Sequence, residues 1–90
     1  DMNKHFEDAQ YYLVRAGETA SKGLREEFEP VEARLRALTG TEEEPEPTRL
    51  DAVKADLKAL QVRAEGEAET AIGQARKKIS AYRGTPPVNA

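Results

Sequence analysis

Ninety residues, 38% apolar, 6% aromatic and 34% charged, are too few and too polar for a large spherical core, and they favour an elongated helical object. The formal charge of -3 and a sequence pI of about 5.2 speak against a general polyanion binder, and the absence of cysteine excludes disulfides, thiolate nucleophiles and cysteine metal sites. No apolar run reaches the roughly 20 residues of a membrane span, and the N-terminus lacks the basic-then-apolar layout of a signal peptide, so the expected setting is soluble and cytoplasmic.

The first predicted element is a helix over residues 3–39. Phe6, Ala9, Leu13, Ala16, Ala20, Leu24, Phe28, Val31, Leu35 and Leu38 follow one another at steps of three or four. Asn3 is its expected N-cap, Glu7 and Asp8 suit the positive end of the helix dipole, and Thr39-Gly40 supplies a left-handed C-terminal cap. Pro30 removes a backbone donor and presses on the carbonyl of Glu26, which predicts a kink near residues 26–30, or two shorter helices broken there. A loop over 40–48 contains "TEEEPEPT". The second helix then runs from 49 to 83, with Thr48 and Asp51 resembling a capping box and Pro47 barring backward extension. Its stripe is Leu50, Val53, Leu57, Leu60, Ala64, Ala68, Ala71 or Ile72, Ala75, Ile79 and Tyr82, and Gly84 with Pro86-Pro87 closes it before a mobile tail at 85–90.

The two stripes are mirror images. Phe6 with Tyr82, Leu13 with Ala75, Ala16 with Ile72, Leu24 with Ala64, Phe28 with Leu60 and Leu35 with Val53 all have position numbers adding to 88. A chain folded back about residue 44 sets each residue level with its partner, large often opposite small, as in an antiparallel helical hairpin. Both stripes also take successive four-residue steps at one level, through Ala20, Leu24 and Phe28 and through Leu60, Ala64 and Ala68. Such steps locally unwind a coiled-coil supercoil.

Two rods share only one seam, so the rest of each stripe is expected to face water. A second row on the second helix, Ala52, Ala55, Ala59 and Val62 leading to Gly66, has no cover within one hairpin. The fold class that follows is all-α: a long antiparallel hairpin dimerising into a four-helix bundle, with that row as the self-association surface. Gly17, Gly23, Gly66 and Gly73 lie inside predicted helices, where each costs about 1 kcal/mol relative to Ala. Close helix approach is the preferred reason for them, with a bend or a ligand cavity as alternatives.

Candidate chemistry is sparse. His5 has no second His or Cys to share a metal and reads as a surface residue at a helix start. Glu26, Glu27, Glu29 and Glu32 intermix with Arg25, Arg34 and Arg36, and pairs four apart (Glu18 with Lys22, Arg25 with Glu29, Glu32 with Arg36) read as an ion-paired solvent face. There is no Glu-x-x-His pair for a di-iron centre, no phosphate loop, dinucleotide fingerprint or zinc-protease motif, and no nucleophile with a base, so no enzyme activity, metal or cofactor is expected. "EEEPEP" lacks the ligand alternation and glycine turn of a calcium loop and reads as a solvated hinge. Arg76, Lys77, Lys78 and Arg83 form the one basic cluster, a possible anion patch whose plainer reading is cations favoured by a helix C-terminus. Tyr11, Tyr12 and Tyr82 gather at the open end and read as boundary packing rather than a base-stacking platform.

The segments "NKHFEDAQYYLVRAGETA", "EPVEARLRALTG", "EPEPTRLDAVKADLKAL" and "AEGEAETAIGQARKKISAYRG" resemble a family of short, uncharacterised helical proteins from halophilic archaea, over residues 2–84. The resemblance implies residence in a high-salt cytoplasm and carries no assigned activity or site residue. The leading expectation is a non-enzymatic, self-associating interaction or scaffold module. The alternatives are an amphipathic hairpin that opens onto a membrane surface and a weak nucleic-acid binder acting through the C-terminal basic patch.

Overall fold

The computed structural model describes residues 4–39 and 45–82. Four helices follow in chain order: α1 (Lys4–Thr19), α2 (Lys22–Thr39), α3 (Pro47–Arg63) and α4 (Gly66–Ala81). α1 lies along α4 and α2 along α3, and the chain runs antiparallel in each pair. The register agrees with the mirror read from the sequence. The Phe6 and Tyr82 rings meet at 4.8 Å, Lys78 faces Asp8 at 3.9 Å, and Arg63 pairs with Glu27 and Arg34 with Asp56. The expected cap Asn3, Gly40 of the first helix's C-cap, the mirror residue Glu44, Gly84 and the tail at 85–90 lie outside the described residues.

The predicted seam is the core. Phe6, Ala9, Leu13, Ala16, Leu24, Phe28, Val31, Leu35 and Leu38 from the first arm meet Val53, Leu57, Leu60, Ala64, Ala68, Ile72, Ala75 and Ile79 from the second, all buried. Ala20, Leu50, Ala71, Tyr12 and Tyr82 border it, partly buried. Small residues concentrate where α1 meets α4 (Ala9, Ala16, Ala68, Ala75), which lets those helices approach closely. Leucines and Phe28 fill the α2–α3 half. The expectation that each stripe would stay partly in water is not met, because the seam closes within one chain.

Each arm is two helices where one was expected, and the breaks lie at Ala20–Ser21 and at Ala64–Glu65. The kink predicted at residues 26–30 is not where the first arm breaks, since α2 continues through Pro30. Pro30 is exposed, so water can satisfy the Glu26 carbonyl that loses its helical donor.

The breaks produce a sideways step. A methyl group placed on Gly17 would lie 3.5 Å from Phe28 Cδ2, and one on Gly73 would lie 3.0 Å from Gln61 Nε2. In an unbroken helix those pairs would be about 16 to 18 Å apart along the axis. α2 therefore lies beside the last turns of α1, and α3 beside the first turns of α4. The overall extents of 47 × 20 × 20 Å fit two overlapping tiers. A flat two-helix ribbon would be much thinner in one direction, about 5 Å between Cα atoms.

Local chemistry accounts for each break. Ser21 caps α2, its Oγ accepting from the Leu24 N–H at 3.4 Å. Arg25 reaches back across the gap, Nε donating to the Gly17 carbonyl at 2.9 Å and Nη2 to the Glu18 carbonyl at 3.3 Å, so it satisfies acceptors left open at the end of α1. In the second arm Ala64 and Glu65 are extended, and Gly66 re-enters the helix at a φ of 61°. Only glycine adopts that backbone without steric penalty. The glycines thus divide: a bend explains Gly66, Gly73 packs tightly against the flexible end of Gln61, a methyl on Gly17 would meet Phe28 at ordinary contact distance, and nothing lies within 4 Å of Gly23.

The start of α3 also differs from expectation. Glu46, extended and without a side-chain cap bond, precedes Pro47 at the first helical position, so Thr48 is inside the helix and not its cap. Proline suits that position because its φ is preset and its missing N–H would have no intrahelical partner.

Candidate functional site

α3 is apolar on two sides. Val53, Leu57 and Leu60 form the inner row and are buried. Ala52, Ala55, Ala59 and Val62 recur at the same helical spacing on roughly the opposite side and are exposed, Val62 to 78%. The row predicted for self-association therefore exists as one external stripe with a single correction. Gly66 belongs to α4 beyond the break, so the stripe ends at Val62. Lys54 and Lys58 flank it on one side, Asp56 and Arg63 on the other, and the last two are tied to α2 by the Arg34–Asp56 and Glu27–Arg63 pairs. Beside the stripe, a groove of about 310 Å³ between α2 and α3 is lined by Arg34, Ala37, Leu38, Arg49, Ala52 and Val53.

Among the described residues the basic cluster spreads around α4. Arg76 donates to Gln61 Oε1 at 2.6 Å, Lys78 faces Asp8, Lys77 is exposed, and Arg83 lies outside the described residues. Consecutive positions on a helix diverge by about 100°, so residues 76 to 78 spread around α4. The tyrosines also separate. Tyr11 and Tyr12 meet edge to face at 5.2 Å on α1, while Tyr82 packs on Phe6 and meets His5 at 6.2 Å. His5 is thus half-buried against an aromatic ring at the open end.

The acidic residues of α2 serve different neighbours. Glu27 crosses to Arg63, whereas Glu32 reaches toward the waist, its Oε2 4.0 Å from a methyl position on Gly17. Burial there pushes the Glu32 carboxyl above its usual value, with Glu29 adding and Arg36 opposing. Of the pairs read four apart, Arg25 with Glu29 gives way to Arg25 on the α1 carbonyls, and Glu18 with Lys22 spans the break. The ion pairs found within 4 Å among the described residues join helix to helix.

Sequence reasoning did not anticipate the open groove of about 720 Å³ between α1 and α4, lined by Tyr11, Tyr12, Arg15, Thr19, Glu67, Thr70 and Gln74 among others. Arg15 lies 5.7 Å from the Tyr11 ring centre and donates to its hydroxyl at 3.1 Å, which raises the guanidinium pKa further. Among the described residues no three His, Asp or Glu stand where they could hold a metal ion, and no described helix is long and apolar enough to cross a membrane.

These features define an all-helical protein, a stepped antiparallel hairpin with one external apolar stripe. The chain belongs to the DUF7553 family, a family of unknown function whose model matches residues 2–85. Comparison with curated proteins and with solved structures finds no match.

Proposed function

We propose that this protein is a non-enzymatic helical interaction module that pairs with a second copy of itself through the outer face of α3, the two stepped hairpins together bundling four helical arms, each arm two helices long. The observation that carries this is the doubled apolar character of α3: its inner row is already satisfied by the seam, and its outer row has Val62 78% exposed. Alanines on that row let a second helix backbone come close with little side-chain entropy to lose. A stable interface covers about 800 Å² on each partner, more than four small side chains offer, so the contact extends over the adjoining α2–α3 groove. The proposal includes a high-salt cytoplasm as its setting. The haloarchaeal resemblance supports this, as does a fold held by an apolar seam more than by exposed ion pairs, which salt screens.

Sedimentation velocity over a micromolar concentration series, in dilute buffer and in molar potassium chloride, tests the reading. A dimer is expected in both, and Val62→Lys or Ala55→Glu should return it to monomer with helical content unchanged. A folded monomer throughout the series would overturn it. The membrane-surface alternative requires the buried seam to open, and the nucleic-acid alternative requires Arg76 and Lys78, which already have partners.

A further inference from the structure

We infer that the paired breaks at the waist form a hinge, and that Arg25 is the latch holding the hairpin in its stepped form against a straight one. The first observation is the spacing of the seam. Ala16, Leu24 and Phe28 in one arm and Leu60, Ala64 and Ala68 in the other keep multiples of four residues across both breaks, so unbroken helices would bury the same side chains. The second is the composition of the breaks. Ala20, Ser21, Ala64 and Glu65 are residues a helix accepts, with no proline among them.

The third observation is what each form keeps and loses. The stepped form holds Gly66 at a φ of 61° and interrupts the helical ladder at Ala20–Ser21 and at Ala64–Glu65, although the Ala64 N–H still donates to the Leu60 carbonyl at 3.0 Å. It gains the Arg25 bonds to the Gly17 and Glu18 carbonyls, the Ser21 cap, the Phe28 ring over Gly17 and the bond from Arg76 to Gln61. A straight form exchanges these for continuous backbone bonding and a relaxed Gly66. Each form thus holds contacts that the other lacks, as in proteins where two packings of one sequence coexist. The two breaks lie within about one turn of the same level, so the arms can change only together. A partner spanning both tiers would then select one form by binding it better.

The experiment uses the full chain with nitroxide labels on cysteines introduced at the exposed positions Glu7 and Ala33, read by double electron–electron resonance. A continuous helix would separate these sites by about 39 Å, whereas the stepped arm holds them closer. Gly66→Ala, which denies the left-handed backbone, and Arg25→Ala, which removes the latch, should each move population to the long distance. Gly23→Ala, the same chemistry at an unstrained position, should leave the distribution as in the parent. The inference is overturned if both test variants keep the parent's distances, or if both lose helical content instead of straightening. If only one unfolds, the other decides.

Discussion

Glycines at positions 23 and 66 look alike in the sequence and differ in what the backbone asks of them. Gly66 has a φ of 61°, so Gly66→Ala should cost the stepped form about 1–2 kcal/mol, the penalty of an L-residue in the left-handed region, and urea unfolding should show a smaller loss because the straight form escapes that penalty. Gly23 is exposed in α2 with nothing within 4 Å of an added methyl, and Gly23→Ala should gain about 0.5–1 kcal/mol by the same measurement. Glu32 gives a pH-dependent counterpart. Its carboxyl pKa is raised by burial, so ionisation is less favourable folded than unfolded, and the resulting penalty is present at neutral pH and disappears as pH falls below the ordinary glutamate range. Glu32→Gln should therefore raise the melting temperature slightly at pH 7, and the gain should vanish in acid. A gain that persisted unchanged at low pH would assign the effect to packing.

Among the elements, α2 shows how local propensity yields to context. Proline inside a helix costs about 3 kcal/mol, yet the first arm breaks nine residues earlier, at Ser21. Pro30→Ala should accordingly stabilise the fold by about 1–3 kcal/mol without altering the step, as unfolding curves and the Glu7–Ala33 label distance would show. The seam was legible because its 3.6-residue period and its mirror symmetry are properties of composition along the chain, and Phe6 against Tyr82 follows from them directly. The break left a weaker trace, the successive four-residue steps around Ala20 and Ala64, which periodicity alone reads as an unwound supercoil. The contacts that hold the step reach across it: Arg25 on the Gly17 carbonyl, and Gln61 against Gly73 and Arg76. Such side-chain choices depend on tertiary placement. The outer stripe of α3 was legible as far as Val62, and failed at Gly66 because a positive φ has no signature that separates it from a helical glycine.

At the scale of the molecule, closing the seam within one chain changes the argument for assembly. Association is not needed to cover Leu13, Leu35 or Leu57, all fully buried, and the case for the proposed pairing rests on the outer face of α3 with its adjoining groove. A dimer formed there should be weaker and more concentration-dependent than one in which two open hairpins share a core. Both the proposed pairing surface and the waist depend on the chain folding back so that α1 lies on α4 and α2 steps beside α1. Nuclear Overhauser spectroscopy on isotope-labelled protein tests that arrangement most directly. The account predicts cross-peaks between the Phe6 and Tyr82 rings, centred 4.8 Å apart, and between the Phe28 ring and the α-protons of Gly17. Loss of the first would contradict the hairpin, and loss of the second, with the first retained, would contradict the step.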